Sequence, residues 1–243
     1  MRLDIYLVKK GLVSSRSKAV HLIKTSQVLV NGHIVLKQSY NVKPDDTIVL
    51  LTHFKYVSRG GYKMEAFVEH SGIQISGKTV LDVGCSTGGF SDFFLQNNAK
   101  HVIGIDISDN IVHSSLFNND NFTFIPKVNA LDPESLKPAL NDLKFQIISI
   151  DLSNTPLQPV LSNIVEFLTL DGLIIALFKP HYYLTRPHKM LKEPELESII
   201  SEFESSISKD FIILSKMVSP LKGTPKNRGS QEIFYLLKPI SAQ

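Results

Sequence analysis

Apolar runs alternate with more polar, helix-like stretches from residue 79 to the end of the chain. Seven runs are nearly continuous in Val, Ile, Leu and Phe, at 79–84, 101–106, 122–127, 145–151, 172–179, 210–219 and 232–238. Such runs are typical of strands buried on both faces of a mostly parallel sheet, with helices covering those faces. The pattern therefore predicts a doubly wound α/β domain with seven strands.

The first sixty residues follow a different pattern and predict a small α+β unit. Residues 3–12 predict a short helix, and residues 16–26 predict a second helix with an apolar face. Asn31-Gly32 predicts a tight turn between two short strands, and a third strand is expected at 47–51.

Between the two patterns lies a polar segment that we interpret as a linker. We expect a small domain at 1–55, a linker at 56–62 and a large domain at 63–243. The tripeptide Arg59-Gly60-Gly61 is expected to be the flexible part of this linker.

Positive charge is concentrated in the small unit. Residues 1–60 contain ten Lys or Arg and three Asp or Glu, whereas the rest of the chain contains 16 and 20. A basic module ahead of a mildly acidic body suggests a polyanionic partner, and a solvated surface with a chance excess of lysine is the alternative. The candidates for RNA phosphate contacts are Arg2, Lys9, Lys10, Arg16, Lys18, Lys24 and Arg59.

The amino-acid composition limits the classes of protein to which this chain can belong. With 43% hydrophobic and 20% charged residues, the chain can bury a core. It contains no apolar run near the ~20 residues of a membrane span, and its first residues lack the apolar stretch of a secretory signal. One cysteine cannot form an internal disulfide, and the eight His show no ligand spacing. We therefore expect a cytoplasmic protein with no metal and no membrane partner. The oligomeric state stays open, with a monomer as the default.

A glycine-rich turn follows the first apolar run, in the segment from Asp82 to Phe90. It stands between a predicted strand and a predicted helix, where glycines let the backbone approach a ligand. It differs from the G-x-G-x-x-G of dinucleotide enzymes, because the Asp82 carboxylate would favour a cation and repel a pyrophosphate. Asp106, at the end of the second strand, could accept hydrogen bonds from both ribose hydroxyls of an adenosine.

Together these carboxylates predict S-adenosylmethionine as the ligand; a structural turn without a ligand is the alternative. Asn129, after the third strand, is expected at the adenine edge, although Asn in this position is often only a turn residue. Cys85 is interpreted as a small loop residue and not as a nucleophile. The predicted donor-binding residues are Asp82, Gly84, Cys85, Ser86, Thr87, Gly88, Gly89, Phe90, Asp106, Ile107, Asn129 and Ala130.

Charged residues also end the fourth and fifth predicted strands. Asp151 follows Ile147-Ile-Ser-Ile150, and Lys179 follows Leu173-Ile-Ile-Ala-Leu-Phe178. Ligands of open α/β sheets bind outside these carboxyl ends, which makes both residues candidates for the reaction. A structural ion pair between them is the alternative, since a buried charge is costly unless it is paired.

The sequence resembles the TlyA family of ribosomal RNA methyltransferases, also called haemolysins, over nearly its full length. The matching segments are Arg2-Leu-Asp4, Ser15-Arg16, Leu22-Ile23, Val30-Asn31-Gly32, Val57 to Lys63, Leu81 to Phe90, Asp151-Leu-Ser153, Lys179-Pro180 and Glu232. The resemblance implies an RNA-binding domain of the ribosomal protein S-four type, followed by an FtsJ-like, class I (Rossmann-like) methyltransferase domain.

The resemblance also implies a catalytic tetrad, which corresponds to Lys63, Asp151, Lys179 and Glu232. Lys179 is expected to be the main base or the group that positions the oxygen. Asp151 and Glu232 would orient the lysines, and Lys63 would hold substrate and tune the charge. The implied reaction is methyl transfer from S-adenosylmethionine to a ribose 2′-hydroxyl of ribosomal RNA, at a cytidine of the large subunit. A non-catalytic RNA-binding assembly factor and a cytolysin are the alternatives.

The chain departs from the family pattern in three places. Ser153-Asn-Thr-Pro-Leu157 replaces Ser-Phe-Ile-Ser-Leu, and His181-Tyr-Tyr-Leu-Thr-Arg186 replaces Gln-Phe-Glu with its Gly-rich continuation. Ser230 replaces the Asn that usually precedes the last Glu by two residues. The tetrad is intact, but these changes affect the substrate loop and leave the choice of nucleotide open.

Overall fold

The computed structural model describes residues 1–24, 27–50, 55–183, 193–221 and 231–240. The chain divides into two compact units, residues 1–57 and residues 58–243.

The small unit packs two helices against a three-stranded antiparallel sheet. The helices are α1 (Leu3–Lys9) and α2 (Arg16–Lys24), and the strands are β1 (Val28–Val30), β2 (His33–Ile34) and β3 (Ile48–Leu50), in the order β2-β1-β3. Asn31 and Gly32 have φ angles of 50° and 80°, which a tight hairpin turn requires. The predicted elements are thus present with shorter bounds, and residues 25 and 26 of the predicted second helix lie outside the described residues.

A buried carboxylate connects α1 to α2. The side chain of Asp4 is fully buried and accepts hydrogen bonds from Arg2 Nε and Nη2, both at 3.0 Å, and from Arg16 Nε at 2.8 Å. Both arginines remain partly exposed, so water still solvates their outer nitrogens. The three groups tie the start of the chain to the first turn of α2.

The large unit contains a seven-stranded sheet with the order β6-β5-β4-β7-β8-β10-β9. β4 to β8 are parallel, and β10 runs antiparallel to both β8 and β9. The strands are β4 (Thr79–Val83), β5 (His101–Asp106), β6 (Phe122–Pro126), β7 (Phe145–Ile150), β8 (Leu168–Phe178), β9 (Phe211–Val218) and β10 (Ile233–Pro239). All seven predicted strands are confirmed.

Helices cover both faces of this sheet. One face packs against α5 (Pro133–Leu140), α6 (Leu157–Ile164) and α7 (Glu193–Ile207), with Phe178 stacked on Phe203 at 4.1 Å between ring centroids. The opposite face packs against α3 (Arg59–Ser71) and α4 (Gly89–Gln96), with Phe67 stacked on Phe234 at 4.7 Å. Since neighbouring residues of a strand point to opposite faces, this two-sided burial explains the continuous apolar runs.

The interpretation of Arg59-Gly60-Gly61 as a flexible linker is wrong. α3 begins at Arg59, and Ser58 caps it by accepting a hydrogen bond from Gly60 N at 3.3 Å. The glycines allow close packing against the first turn of α4. A Cβ on Gly60 would lie 3.2 Å from a ring carbon of Phe90, and a Cβ on Gly89 would lie 2.1 Å from Ser58 Oγ. Only the first residues of the predicted 56–62 segment thus precede the helix.

Among the helices in the described ranges, none has the length and apolar character needed to cross a bilayer.

Asp4, Arg2 and Arg16, together called the Asp4 cluster, predict how the stability of the small unit changes in acid. The hydrogen bond from Arg2 lowers the pKa of Asp4, burial opposes this, and Arg16 adds to the lowering. The folded protein therefore binds this proton less tightly than the unfolded chain does. The stabilisation is complete above the ordinary carboxyl pKa of about 4 and is lost as pH falls through the lower folded-state value.

We expect Asp4→Asn to destabilise residues 1–57 by about 1–3 kcal/mol at pH 7, because charge-assisted hydrogen bonds to a buried group are lost. Hydrogen exchange of α1 and α2 in the whole protein, measured from pH 7 to pH 3, tests this. The difference from wild type should shrink below pH 4. Asp45→Asn, at an exposed carboxylate of the same unit, is the control. A difference that does not change with pH would contradict the role assigned to the charge of Asp4.

Candidate active site

A cavity of about 250 Å³ opens at the carboxyl ends of β4, β7 and β8. It contains all four residues of the predicted tetrad and most of the predicted donor turn. Its walls are formed by Ser58, Arg59, Gly60, Lys63, Asp82, Gly84, Cys85, Ser86, Thr87, Gly89, Phe90, Asp151, Ser153, Lys179, Tyr182 and Glu232. A larger depression of about 530 Å³ at the amino ends of β4 and β7 contains none of these residues. The carboxyl ends are where α/β sheets bind ligands, so the smaller cavity is the candidate site.

The four tetrad residues form two ion pairs. Lys63 Nζ lies 2.5 Å from Glu232 Oε2, and Lys179 Nζ donates to Asp151 Oδ1. Lys63, Lys179 and Glu232 are only 9%, 8% and 4% exposed. The ion pair between Asp151 and Lys179, left as an alternative by the sequence, is therefore present, and it lies in the wall of the cavity.

Topology brings these residues to one edge of the sheet. Asp151 and Lys179 directly follow the parallel strands β7 and β8, and Lys63 lies in the second turn of α3. Glu232 instead precedes β10. Because β10 is antiparallel to β8, its first residue pairs with Phe178, the last residue of β8. The start of β10 therefore meets the end of β8, which places Glu232 beside the other three.

The charge of Lys179 follows from its surroundings. Burial lowers the pKa of Lys179, but Asp151 raises it by charge and hydrogen bonding, and Glu232 adds to this, so the pKa is raised overall. Lys179 is therefore an ammonium at neutral pH in the site as it stands. A role as base requires that it first lose this proton.

The glycine-rich turn lies directly against the segment that follows β7. Gly84 has a φ of 76°, and a Cβ there would lie 2.7 Å from the backbone oxygen of Asp151. Gly88 has a φ of 87°, and a Cβ there would meet the side chain of Leu116 at 2.1 Å. A side chain would thus be obstructed at both positions, which accounts for the glycines of this turn. Burial raises the pKa of the Cys85 thiol, in agreement with a small loop residue that is not a nucleophile.

Asp82 lies at the base of the turn and is fully buried. Its Oδ1 accepts a hydrogen bond from Ser149 Oγ at 2.9 Å, and its Oδ2 accepts from Ser91 N at 3.0 Å and Ser91 Oγ at 2.6 Å. Burial raises the pKa of Asp82 to about 6, against the effect of these hydrogen bonds. The carboxylate thus joins β4 to β7 and α4. Its predicted contact with a cationic ligand stays a prediction.

Asp106 lies beside the turn at the end of β5. Its two carboxylate oxygens each accept one backbone hydrogen bond at 2.9 Å, from Ser86 N and Ser108 N. Each oxygen retains a further lone pair that a ribose hydroxyl could use. The residues present therefore fit an adenosine beside a glycine-rich turn, although Asp106 itself does not line the cavity.

The remaining predicted donor residues are not brought into the cavity. Asn129 Oδ1 accepts a hydrogen bond from Leu131 N at 3.1 Å, as in a turn residue, and its contact with the adenine edge stays a prediction. Ala130 is buried in the core, Ile107 is 68% exposed, and Gly88 packs on Leu116.

The predicted RNA-binding residues occupy different environments. Arg2 and Arg16 are held by Asp4, and Lys9 is exposed on α1. Lys18 donates to the backbone oxygen of Val57 at 3.1 Å. Arg59 begins α3 and lines the cavity of the large unit. Its contact with RNA phosphate remains a prediction.

Four residues of the cavity wall were not predicted as site residues: Ser58, Gly60, Ser153 and Tyr182. The structural role of Ser58 could have been predicted from the sequence, because Ser directly before a helical segment is a common N-cap. Tyr182 has no comparable motif. Within the described ranges, no group of three or more His, Cys, Asp or Glu is arranged to hold a metal ion.

Comparison with known proteins identifies the families that this chain matches. Residues 56–235 match the model of the FtsJ-like methyltransferase family, and residues 1–48 match the S4 domain. The chain is 34% identical to hemolysin A of Brachyspira hyodysenteriae, over 93% of this chain and 96% of that protein. It is 31% identical to the 23S rRNA (cytidine-2′-O)-methyltransferase TlyA of Campylobacter jejuni, over 97% and 98%.

A solved structure from Streptococcus thermophilus, provisionally described as a hemolysin, superimposes with a TM-score of 0.74. It has 25% sequence identity, and the match covers 100% of this chain and 89% of that one. The matched families, the full-length relatives and the tetrad in its cavity agree. This chain belongs to the FtsJ-like methyltransferases and, among them, to the family of TlyA and hemolysin A.

Proposed function

We propose that this protein transfers a methyl group from S-adenosylmethionine to the 2′-hydroxyl of a cytidine in ribosomal RNA of the large subunit, in the cytoplasm. The observation that carries the proposal is the meeting of two Lys–carboxylate pairs with a glycine-rich turn in one cavity. The Campylobacter relative is named as a 23S rRNA (cytidine-2′-O)-methyltransferase, which supports the choice of RNA and nucleotide. Burying Lys63, Lys179 and Glu232 around a cavity costs free energy, which a role in the reaction would explain.

The turn from Gly84 to Phe90, with Asp106 beside it, would hold the donor, which supplies an electrophilic methyl group when bound. The residues at the ends of β7 and β8 would then align the ribose oxygen with that methyl group, and alignment is a large part of the rate in a displacement reaction. Lys179 in its neutral form would take the hydroxyl proton, and Asp151 would hold its nitrogen in place. Glu232 would hold Lys63 through the hydrogen bond that joins them, and Lys63 would contribute positive charge to the site.

The small unit would bring RNA to this site. Its basic residues can contact phosphates, which position the RNA without reading its sequence. Lys9 and Lys10 are exposed on one turn at the end of α1 and are not part of the Asp4 cluster. They are therefore suited to test phosphate binding separately from stability.

We expect Lys179→Ala to lower methyl transfer roughly 100-fold or more, since a positioned base contributes a factor of that order. Binding of S-adenosylmethionine by calorimetry should be unchanged. Transfer of tritiated methyl to large ribosomal subunits measures the effect, with Lys100→Ala, at an exposed lysine before β5, as the control. Wild-type turnover by Lys179→Ala would contradict the assignment.

The raised pKa of Lys179 predicts a pH profile. The neutral fraction of a lysine grows about tenfold per pH unit below its pKa, so single-turnover transfer should rise at that rate between pH 7 and pH 9. Lys179→Arg should be inactive, because a guanidinium keeps its proton in proteins. A flat profile together with an active Arg variant would instead assign Lys179 to positioning of the oxygen alone.

We expect Lys9→Gln combined with Lys10→Gln to weaken RNA binding and to reduce the dependence of log K on log salt by roughly one to two units, about one per lost phosphate contact. Fluorescence anisotropy with ribosomal RNA at several salt concentrations measures both. Lys209→Gln, at an exposed lysine of the large unit, is the matched control. An unchanged salt dependence would place the RNA on another surface.

A further inference from the structure

Tyr182 lies in the part of the cavity that the donor turn leaves open. Its backbone N donates to Lys179 O at 3.1 Å within the short helix Pro180–Tyr183 that follows β8. In the sheet, β8 is two strands away from β4, which carries the glycine-rich turn. Adjacent strands are about 4.8 Å apart, so the two elements are separated by roughly 10 Å. Lys179 and Tyr182 therefore border the region into which the ribose must enter.

The segment that carries Tyr182 is held on both sides. The His181 ring packs against the Tyr182 ring, with 3.9 Å between centroids and 50° between planes. Tyr183 accepts a hydrogen bond from Leu157 N at 2.8 Å through its hydroxyl, and its ring lies 5.0 Å from that of Phe178. Burial and the neighbouring Lys179 lower the pKa of His181, so this ring is neutral at pH 7. Tyr182 thus belongs to a segment that is anchored at Tyr183, and the neutral ring of His181 lies against its own ring.

The depth of the reactive groups limits how RNA can approach. Lys63, Lys179 and Glu232 are each less than a tenth exposed. A ribose inside a duplex presents its 2′-hydroxyl on a wide, shallow surface and could not reach them. The acceptor must therefore enter as a single, unpaired nucleotide, whose base has lost its stacking neighbours. Proteins stabilise such bases by placing an aromatic ring against them.

We propose that the Tyr182 ring, supported by His181, is the surface on which the base of the acceptor nucleotide stacks while its ribose lies at Lys179. This inference rests on the proposed function and extends it to nucleotide binding. The ring carries the interaction. The hydroxyl is dispensable.

The test compares Tyr182→Leu with Tyr182→Phe in the full-length protein, with large ribosomal subunits and tritiated donor. Loss of a base–aromatic stack costs roughly tenfold to a hundredfold in affinity, so Tyr182→Leu should raise the KM for RNA by about that factor. Tyr182→Phe should stay within about twofold of wild type. Both variants should bind S-adenosylmethionine normally by calorimetry, which also shows that the fold is retained. Phe117→Leu removes an exposed aromatic ring outside the cavity and serves as the control.

Two results would overturn the inference while leaving the proposed function intact. The first is an active wild-type protein whose Tyr182→Leu variant has an unchanged KM for RNA. The second is a Tyr182→Phe variant as impaired as Tyr182→Leu, which would assign the effect to the hydroxyl and its neighbour Lys179. A wild-type protein that binds the donor but methylates no ribosomal RNA would instead refute the proposed function, and this inference with it.

Discussion

Three of the four charged side chains around the cavity, Lys63, Lys179 and Glu232, are buried, and this is possible because each has a partner of opposite charge. Moving a single charge from water into the protein costs several kcal/mol of free energy, and attraction to a close partner of opposite sign offsets much of this cost. Here Lys63 is paired with Glu232, and Lys179 with Asp151. The pairs come from four separate parts of the chain, so the cavity exists only when α3, β7, β8 and β10 are all in place. The reactive centre therefore depends on the order of the strands as much as on the residues themselves.

The antiparallel strand β10 is the element that completes this arrangement. In a wholly parallel sheet, the residue before the last strand would lie at the opposite edge, far from the ends of β7 and β8. The reversed direction of β10 brings Glu232 to the same edge as Asp151 and Lys179. Glu232 then acts on both lysines, as the hydrogen-bond partner of Lys63 and as one cause of the raised pKa of Lys179. The two ion pairs are thus electrostatically linked across the cavity.

The strands of the large unit could be predicted because a strand that is buried on both faces consists of an uninterrupted run of apolar residues in the sequence. The ends of those runs also indicated Asp151 and Lys179, which line the cavity. Other features depend on contacts between distant segments. Gly60 suggests flexibility when seen alone, yet it lies against Phe90 and Gly89 where α3 contacts α4. The hydrogen bonds that Asp82 accepts from Ser91 and Ser149 could not be predicted, because they join segments far apart in the sequence. No local pattern indicates that Tyr182 reaches the cavity.

The contact between the first turns of α3 and α4 has a consequence for how this sequence can change over time. A Cβ at position 89 would overlap Ser58 Oγ, the atom that caps α3, and Gly60 lies against Phe90 in the same contact. A larger residue at any of these positions forces the two helices apart, and with them the cap beside Lys63 and the turn beside Asp106. Positions 58, 60, 89 and 90 are therefore expected to covary among homologues, because a change at one of them alters the space available to the others where the two helices begin.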